Sequence, residues 1–194
     1  MDYAQVTQAI LHIAIGLGLS AAAGFRILIP FFAMGIAAHN GLLKLAPGME
    51  WMGSTPAITA FGVAALLEVL VYFIPVVDNF MDVIEVPAAA IAGTILTATV
   101  ATELDPMLRW TLAAIAGGSI AGGTEAFMGL TRLASTAAAG PAGNIAVSTG
   151  ELASASVLSI LSIFVPILTV VVLAVLLFFV IRKLRKRPHG RYRY

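Results

Sequence analysis

Residues 157–181 contain no charged side chain, and the basic run RKLRKR follows them directly. An α-helix needs about 20 consecutive apolar residues to cross a bilayer core of roughly 30 Å. A basic block next to such a run is typical of the cytoplasmic end of a membrane helix. The stretch therefore predicts a last spanning helix, kinked at Pro166, with its carboxyl end inside the cell.

The composition of the whole chain agrees with a lipid environment. The chain is 60% hydrophobic and 11% charged, with a mean hydropathy of +0.99, whereas a soluble domain carries about 25% charged residues. All ten acidic residues precede residue 182, and seven of the eleven basic residues lie in 182–194. We expect one transmembrane helical domain over 1–187 and a short basic cytoplasmic tail over 188–194, in the cell (inner) membrane.

The apolar runs predict an all-α fold, a polytopic transmembrane bundle of about six helices. The predicted helices cover residues 4–24, 26–45, 56–75, 87–103, 107–128 and 151–181. Six crossings would place both termini in the cytoplasm, and five would result if one of the first two helices only re-enters the membrane. The first helix has neither a basic n-region nor a cleavage site, so we expect it to be retained.

The stretch Ala116–Glu151 interrupts the apolar pattern. Most of its residues are Gly, Ala, Ser or Thr, yet it also carries Glu125, Arg132 and Glu151. Small residues allow close approach of backbones, and charges in an apolar setting are costly. We expect helices to break here and form a polar site. Four further residues could supply hydrogen bonds to it: Ser135, Thr136, Asn144 and Ser148.

Two charged residues in the first half of the chain are further candidates. Arg26 lies between two apolar runs, so it is either at an interface, which its position favours, or buried and paired. Glu68 is flanked by apolar residues and must face protein or water, with either a functional or a structural role. Between them and the later segment, an acidic connector carries three acids whose spacing would put them on one face of a short helix: Asp78, Asp82 and Glu85. A solvated face is the default interpretation of this connector, and we expect Pro87 to start the next helix.

The two arginines lie in similar short sequences. Residues 23–27 (AGFRI) resemble residues 129–133 (GLTRL), and a helix with a glutamate follows each of them. Two halves with three helices each would be inverted repeats, as in many transporters. Matches between small residues also arise by chance, which is the simpler explanation.

Three groups of residues carry a resemblance to a known family. The first is Ala23-Gly24-Phe25-Arg26 with Pro30 after it. The second is Glu68 followed by Ile74-Pro75-Val76-Val77-Asp78 and Asp82, with Pro87 and Gly93 beyond. The third is Gly122-Gly123, Arg132, Ser135-Thr136, Asn144, Ser148 and Glu151. Together they resemble the domain-of-unknown-function family four-one-two-six, small bacterial and plastid membrane proteins. The resemblance implies an integral membrane protein and points to the same charged positions, without an established activity.

These patterns favour a small transporter or channel for a small polar or anionic solute, coupled to protons or ions. The candidate residues for binding or coupling are Arg26, Glu68, Glu125, Arg132, Ser135, Thr136, Asn144, Ser148 and Glu151. Arginine–glutamate pairs that only neutralise each other are the structural alternative for these residues. The alternative function is a non-catalytic accessory or assembly subunit that associates through small-residue helix faces, with itself or with partners.

Other classes of function have little support in the sequence. The chain has no cysteine, no metal-binding histidine pattern and no hydrolase, zinc or phosphate-loop motif, so we expect no metal, no cofactor and no enzymatic activity. The basic tail adjoins an apolar helix, which favours anionic lipids over nucleic acid as its partner.

Overall fold

The computed structural model describes residues 3–71 and 75–185, and all regular elements in these ranges are helical. The predicted all-α class is therefore confirmed. Seven α-helices follow in chain order: α1 (Tyr3–Ala23), α2 (Leu28–His39), α3 (Thr55–Val71), α4 (Pro75–Val100), α5 (Pro106–Leu112), α6 (Ser119–Phe164) and α7 (Pro166–Arg185). A 3-10 turn over Glu50–Gly53 precedes α3, and a π-helical turn over Ala113–Gly118 joins α5 to α6.

Three pairs of packed helical segments run antiparallel, because residue numbers rise on one segment where those of the contacting residues fall on the other. For α1 and α4, Gly16 contacts Thr97 and Ser20 contacts Gly93. For α4 and the segment after it, Gly93 contacts Gly117 and Ala90 contacts Gly122. For α2 and α3, Gly35 contacts Ile58 and Phe32 contacts Gly62. The connection between α2 and α3 returns to the end of α4, where the Ala46 amide donates to the Thr99 carbonyl at 2.7 Å.

Small residues make these contacts close. A methyl group at Gly93 would lie 2.5 Å from the Gly117 carbonyl oxygen, so the two backbones touch. Beside them the Ser20 hydroxyl donates to the Gly93 carbonyl at 2.8 Å. Gly118 and Gly122, spaced four residues apart, both face Ala90 of α4. The small-residue faces in the sequence are thus helix-packing surfaces.

Helix α6 is broken at Gly140. This residue has φ 62° and ψ −151°, a conformation that glycine alone adopts readily. Arg132 and Glu151, which would be about 28 Å apart along a straight helix, are in direct contact. The chain therefore turns back at Gly140, and we call residues 119–139 the first arm and 141–164 the second arm. The predicted break within Ala116–Glu151 is confirmed.

The prediction that Pro87 starts a helix is wrong, because Pro87 lies inside α4. An internal proline removes one backbone hydrogen bond. Tertiary contacts on both sides hold the helix together: Glu85 is buried in an ion pair, and Ala89 is fully buried in the core. The predicted acidic connector is consequently the start of α4.

The predicted kink at Pro166 is confirmed, but it is a full break, so residues 157–181 do not form one continuous spanning helix. Val165 has non-helical angles (φ −138°, ψ 59°), so α6 ends at Phe164 and α7 begins at Pro166. The proline has no amide hydrogen to continue the ladder and is well suited to a first turn. Within the described residues, two helices are long and apolar enough to cross a membrane, Tyr3–Ala23 and Ile145–Phe164. The predicted tail over 188–194 lies outside the described residues.

Candidate functional site

Two buried arginines lie next to the two interruptions of the helices. Arg26 is in the connection between α1 and α2, and Arg132 is on the first arm of α6; they are 2% and 3% exposed. Gly24 makes this approach possible, because a side chain there would collide with Thr124 and the Ala121 carbonyl on the first arm. The favoured interface position of Arg26 is therefore wrong, because the side chain is buried and paired with Glu151.

Glu151 on the second arm connects the two arginines. Its Oε1 accepts from Arg132 Nε at 2.7 Å, and its Oε2 accepts from Arg132 Nη2 at 3.1 Å. The same Oε2 lies 3.1 Å from Arg26 Nη2. Two parallel bonds from a guanidinium to a carboxylate are among the strongest charged contacts in proteins. The hairpin at Gly140 thus presents Glu151 to both cations.

Two more glutamates contact Arg132. Glu85 Oε2 lies 2.7 Å from Arg132 Nη1, and Glu125 Oε1 lies 3.4 Å from Arg132 Nη2. Both carboxylates are buried. We call Arg26, Glu85, Glu125, Arg132 and Glu151 the Arg/Glu cluster. It joins α4, both arms of α6 and the α1–α2 connection.

Glu85 is a member of this cluster that the sequence placed elsewhere. Its expected position on a solvated acidic connector is wrong, because Glu85 is only 4% exposed. Helix α4 continues through Pro87 and carries Glu85 against the first arm. One signal of burial was present, since Glu85 directly precedes the small apolar residues that pack in the core.

Glu68 lies beside the cluster and binds the start of a helix. Its Oε1 accepts from the Ile27 amide at 2.7 Å and its Oε2 from the Leu28 amide at 3.0 Å. These amides belong to the start of α2, where backbone donors lack helical partners and a negative charge is favourable. As predicted, Glu68 faces protein and not lipid; its contacts are those of a helix cap.

Of the other residues predicted for the site, only Ser148 is described close to the arginines. The Ser148 carbonyl lies 3.4 Å from Arg26 Nη2, while its hydroxyl is buried with no hydrogen-bond partner in the described part of the chain. Ser135 packs against Gly143 beside the hairpin turn, and Thr136 is exposed. The side chains of Asn144, Asp78 and Asp82 lie outside the described part. The predicted polar patch is therefore not assembled around the arginines, apart from Ser148.

Two open pockets lie away from the cluster. Each has a volume of about 370 Å³, and they lie between α4 and the π-helical turn and between α2 and the second arm. No cluster residue lines either cavity. Within residues 3–71 and 75–185, no group of three or more acidic, histidine or cysteine side chains is arranged to hold a metal ion. The chemistry that this arrangement offers is charge pairing and proton exchange among carboxyl groups.

Comparison with known proteins identifies a family. The family described as Domain of unknown function (DUF4126) matches residues 13–186. This match covers most of the chain, includes all members of the Arg/Glu cluster and confirms the family predicted from the residues. Neither a curated protein nor a solved structure matches the chain.

Proposed function

We propose that this chain, which belongs to the family Domain of unknown function (DUF4126), is a multi-pass membrane transporter or channel. Its solute would be small and polar or anionic, and its movement would be coupled to protons or ions. The observation that carries the proposal is the buried Arg/Glu cluster, which forms where the α1–α2 connection and α4 pack against the two arms of α6. Ionisable residues inside a membrane bundle are costly and mark pathways for ions or solutes.

The distribution of side chains supports placement in a membrane. Large apolar residues cover the outside, as with Leu66 at 59%, Leu130 at 66% and Phe178 at 59% exposure. The interior combines small residues with a few larger apolar ones, such as Leu19, Met34 and Leu96, and it also holds the charged cluster. Soluble monomers rarely expose contiguous apolar surface on this scale. Lipid is the solvent that satisfies such an exterior.

The antiparallel helices fit six crossings with both termini in the cytoplasm of the inner membrane. In this arrangement α1, α2, α3 and α4 alternate in direction, α5 continues into the first arm of α6, and the second arm continues into α7. α2 and α3 have 12 and 17 residues, fewer than the roughly 20 that span a bilayer. They would end within the membrane on protein partners, and the basic end of α7 would contact anionic lipids.

The charge pattern suggests how solute and protons would be linked. In the described arrangement, both arginines are held by glutamates. An anionic solute would have to compete with these carboxylates for the guanidinium groups. Protonation of a glutamate weakens its hold on arginine and so favours binding of the anion. Proton and anion would then move together.

The test is flux through the purified protein in liposomes. Radiolabelled small anions and a pH-sensitive dye would report movement under imposed proton and potassium gradients. We expect uptake driven by a proton gradient, with its loss in Arg132→Gln and its retention in Lys44→Gln, a basic residue outside the cluster. Absence of flux under every gradient, with folded wild-type protein, would contradict the proposal.

The charge pairing within the cluster favours one alternative, a non-catalytic accessory or assembly subunit. Each arginine and glutamate of the cluster contacts an opposite charge, as expected if the charges only hold the fold together. Gly123 and Gly129 have open space around them on the first arm and could contact another helix, including one of a second copy. Co-purification of one stoichiometric partner after mild cross-linking would favour this class.

A further inference from the structure

The Arg/Glu cluster contains more acids than bases. In the described part of the chain, three buried glutamates share two arginines, and neither Lys44 nor Arg109 forms an ion pair with these carboxylates. Asp78 and Asp82 lie on the first turns of the same helix as Glu85, and a carboxylate from either could only add negative charge. A buried group with uncompensated charge is neutralised by taking up a proton.

Distances distinguish the three glutamates. Glu151 is bound by both arginines and makes two bonds to Arg132, the shorter at 2.7 Å. Glu85 also has a contact of 2.7 Å, to Arg132 Nη1. Glu125 has the weakest contact, at 3.4 Å to Arg132 Nη2. Glu125 is therefore the carboxyl group that the arginines stabilise least as an anion.

The neighbour of Glu125 reinforces this assignment. Both carboxyl groups contact the same guanidinium group, Glu85 at Arg132 Nη1 and Glu125 at Arg132 Nη2. Like charges that share one cation disfavour the ionisation of both groups, so one of them tends to hold a proton. Glu85 is held more closely, at 2.7 Å, which leaves Glu125 as the group that takes up the proton. The other charged groups of the described residues near this pair are Glu151 on the second arm, Arg26, which contacts Glu151, and Glu68, which contacts Ile27.

We infer that Glu125 is the proton-binding residue of this protein and carries a proton in the described arrangement of the cluster. The assignment deepens the proposed function by naming the coupling ion as a proton, and it rests on that function only for what the proton does. When Glu125 releases the proton, the pair gains one negative charge and Arg132 must accommodate two carboxylates on this side. Arg132 then becomes less available to an anion, so the solute follows the proton.

Infrared spectroscopy of the purified wild-type protein at neutral pH tests this inference. A protonated buried carboxyl group gives a carbonyl stretching band that an ionised carboxylate lacks. We expect this band in the wild type, its loss in Glu125→Gln and its retention in the exposed control Glu103→Gln. The amide in Glu125→Gln is uncharged and can donate a hydrogen bond, as a protonated carboxyl group does, so the variant should fold. No band in the wild type, or an unchanged band in Glu125→Gln, overturns the assignment.

A second measurement keeps the inference testable if Glu125→Gln does not fold. Dicyclohexylcarbodiimide reacts with protonated carboxyl groups in apolar surroundings, and mass spectrometry locates the adduct. Modification of Glu125 in the wild type supports the assignment, and modification that spares Glu125 overturns it. Because neither measurement depends on flux, a protonated Glu125 in a protein without transport would contradict the proposed function alone.

Discussion

At the scale of single residues, Glu151 has the largest structural role in the cluster. It is 1% exposed and bonded to both arginines, one from the α1–α2 connection and one from the first arm. Removing it would leave two guanidinium groups facing each other in an apolar interior. Like charges at low dielectric repel strongly. The contact that draws these elements together would become one that separates them.

We therefore predict that Glu151→Ala lowers the free energy of unfolding by about 3–5 kcal/mol, the cost of breaking a buried ion pair. Denaturant titration in detergent, followed by circular dichroism, would measure it. The matched control is Glu103→Ala, because Glu103 is exposed and its contact with His12 is long, at 3.8 Å. An exposed pair contributes about 1 kcal/mol or less. Equal losses in the two variants would contradict the structural role of Glu151.

Glu68 provides a second prediction at this scale. Glu68→Ala removes the acceptors of the Ile27 and Leu28 amides, and loss of a helix cap costs about 1 kcal/mol. Hydrogen exchange should be faster at these two amides, with a smaller effect in Glu68→Gln, which keeps one acceptor oxygen. Thr59→Ala, an exposed change on the same helix, should leave both amides protected. Unchanged exchange in Glu68→Ala would show that the cap is not formed.

At the scale of elements, the site depends on where helices stop. α1 ends at Ala23 and α2 begins at Leu28, which leaves Arg26 in the connection between them. The turn at Gly140 brings the two arms of α6 together and places Glu151 on Arg132. Both interruptions use glycine, but for different reasons. Gly24 allows close contact between backbones, whereas Gly140 supplies a positive φ.

This difference leads to a prediction for Gly140. Gly140→Ala forces a side chain into a backbone region that only glycine adopts readily, at a cost of about 1–3 kcal/mol. Gly150→Ala on the second arm is the control, because nothing lies within 4 Å of the added methyl group. Alanine within a helix is favoured over glycine by about 1 kcal/mol. Thermal unfolding should thus shift down for the first variant and up for the second, and a shift in the same direction would argue against the turn.

At the scale of the whole molecule, the protein has many large apolar side chains outside and a charged cluster inside. This distribution favours the lipid environment that we propose around α3, both arms of α6 and α7. In such an environment buried charges must be paired within the bundle, since lipid offers no hydrogen bonds. The proposed six crossings would place each connection on one side of the membrane.

The absence of cysteine makes this topology testable by single-cysteine labelling. In intact cells, a membrane-impermeant maleimide should label Ala139→Cys beside the hairpin turn. Lys44→Cys, at an exposed position in the connection between α2 and α3, should react only after the membrane is permeabilised. Leu176→Cys, whose native side chain is 56% exposed, should stay unlabelled in lipid and react in denaturant. Labelling of both turns from the same side would overturn the proposed six crossings.

Helix breaks could be predicted only where the local sequence enforces them. The small and charged residues of Ala116–Glu151 predict a break, and the structure places it at Gly140. The kink predicted at Pro166 is likewise present, as a full break between α6 and α7. Pro87 carries an equally strong local signal, yet α4 continues through it. Contacts of Glu85 and Ala89 with distant residues offset the missing hydrogen bond, and such contacts are invisible in a linear sequence.

By itself, the sequence determined the chemistry of this protein. It specifies an all-helical chain of the DUF4126 family with too few charged residues for a water-facing surface. It also shows which arginines and glutamates lie within apolar segments: Arg26, Glu68, Glu125, Arg132 and Glu151. These properties depend on residue type and local spacing. Only the tertiary structure decided the partners. It placed Glu85 with Arg132, Glu151 between both arginines, and Glu68 on the start of α2. Partners so far apart in the sequence meet only through the way helices turn and pack, and no local pattern encodes that.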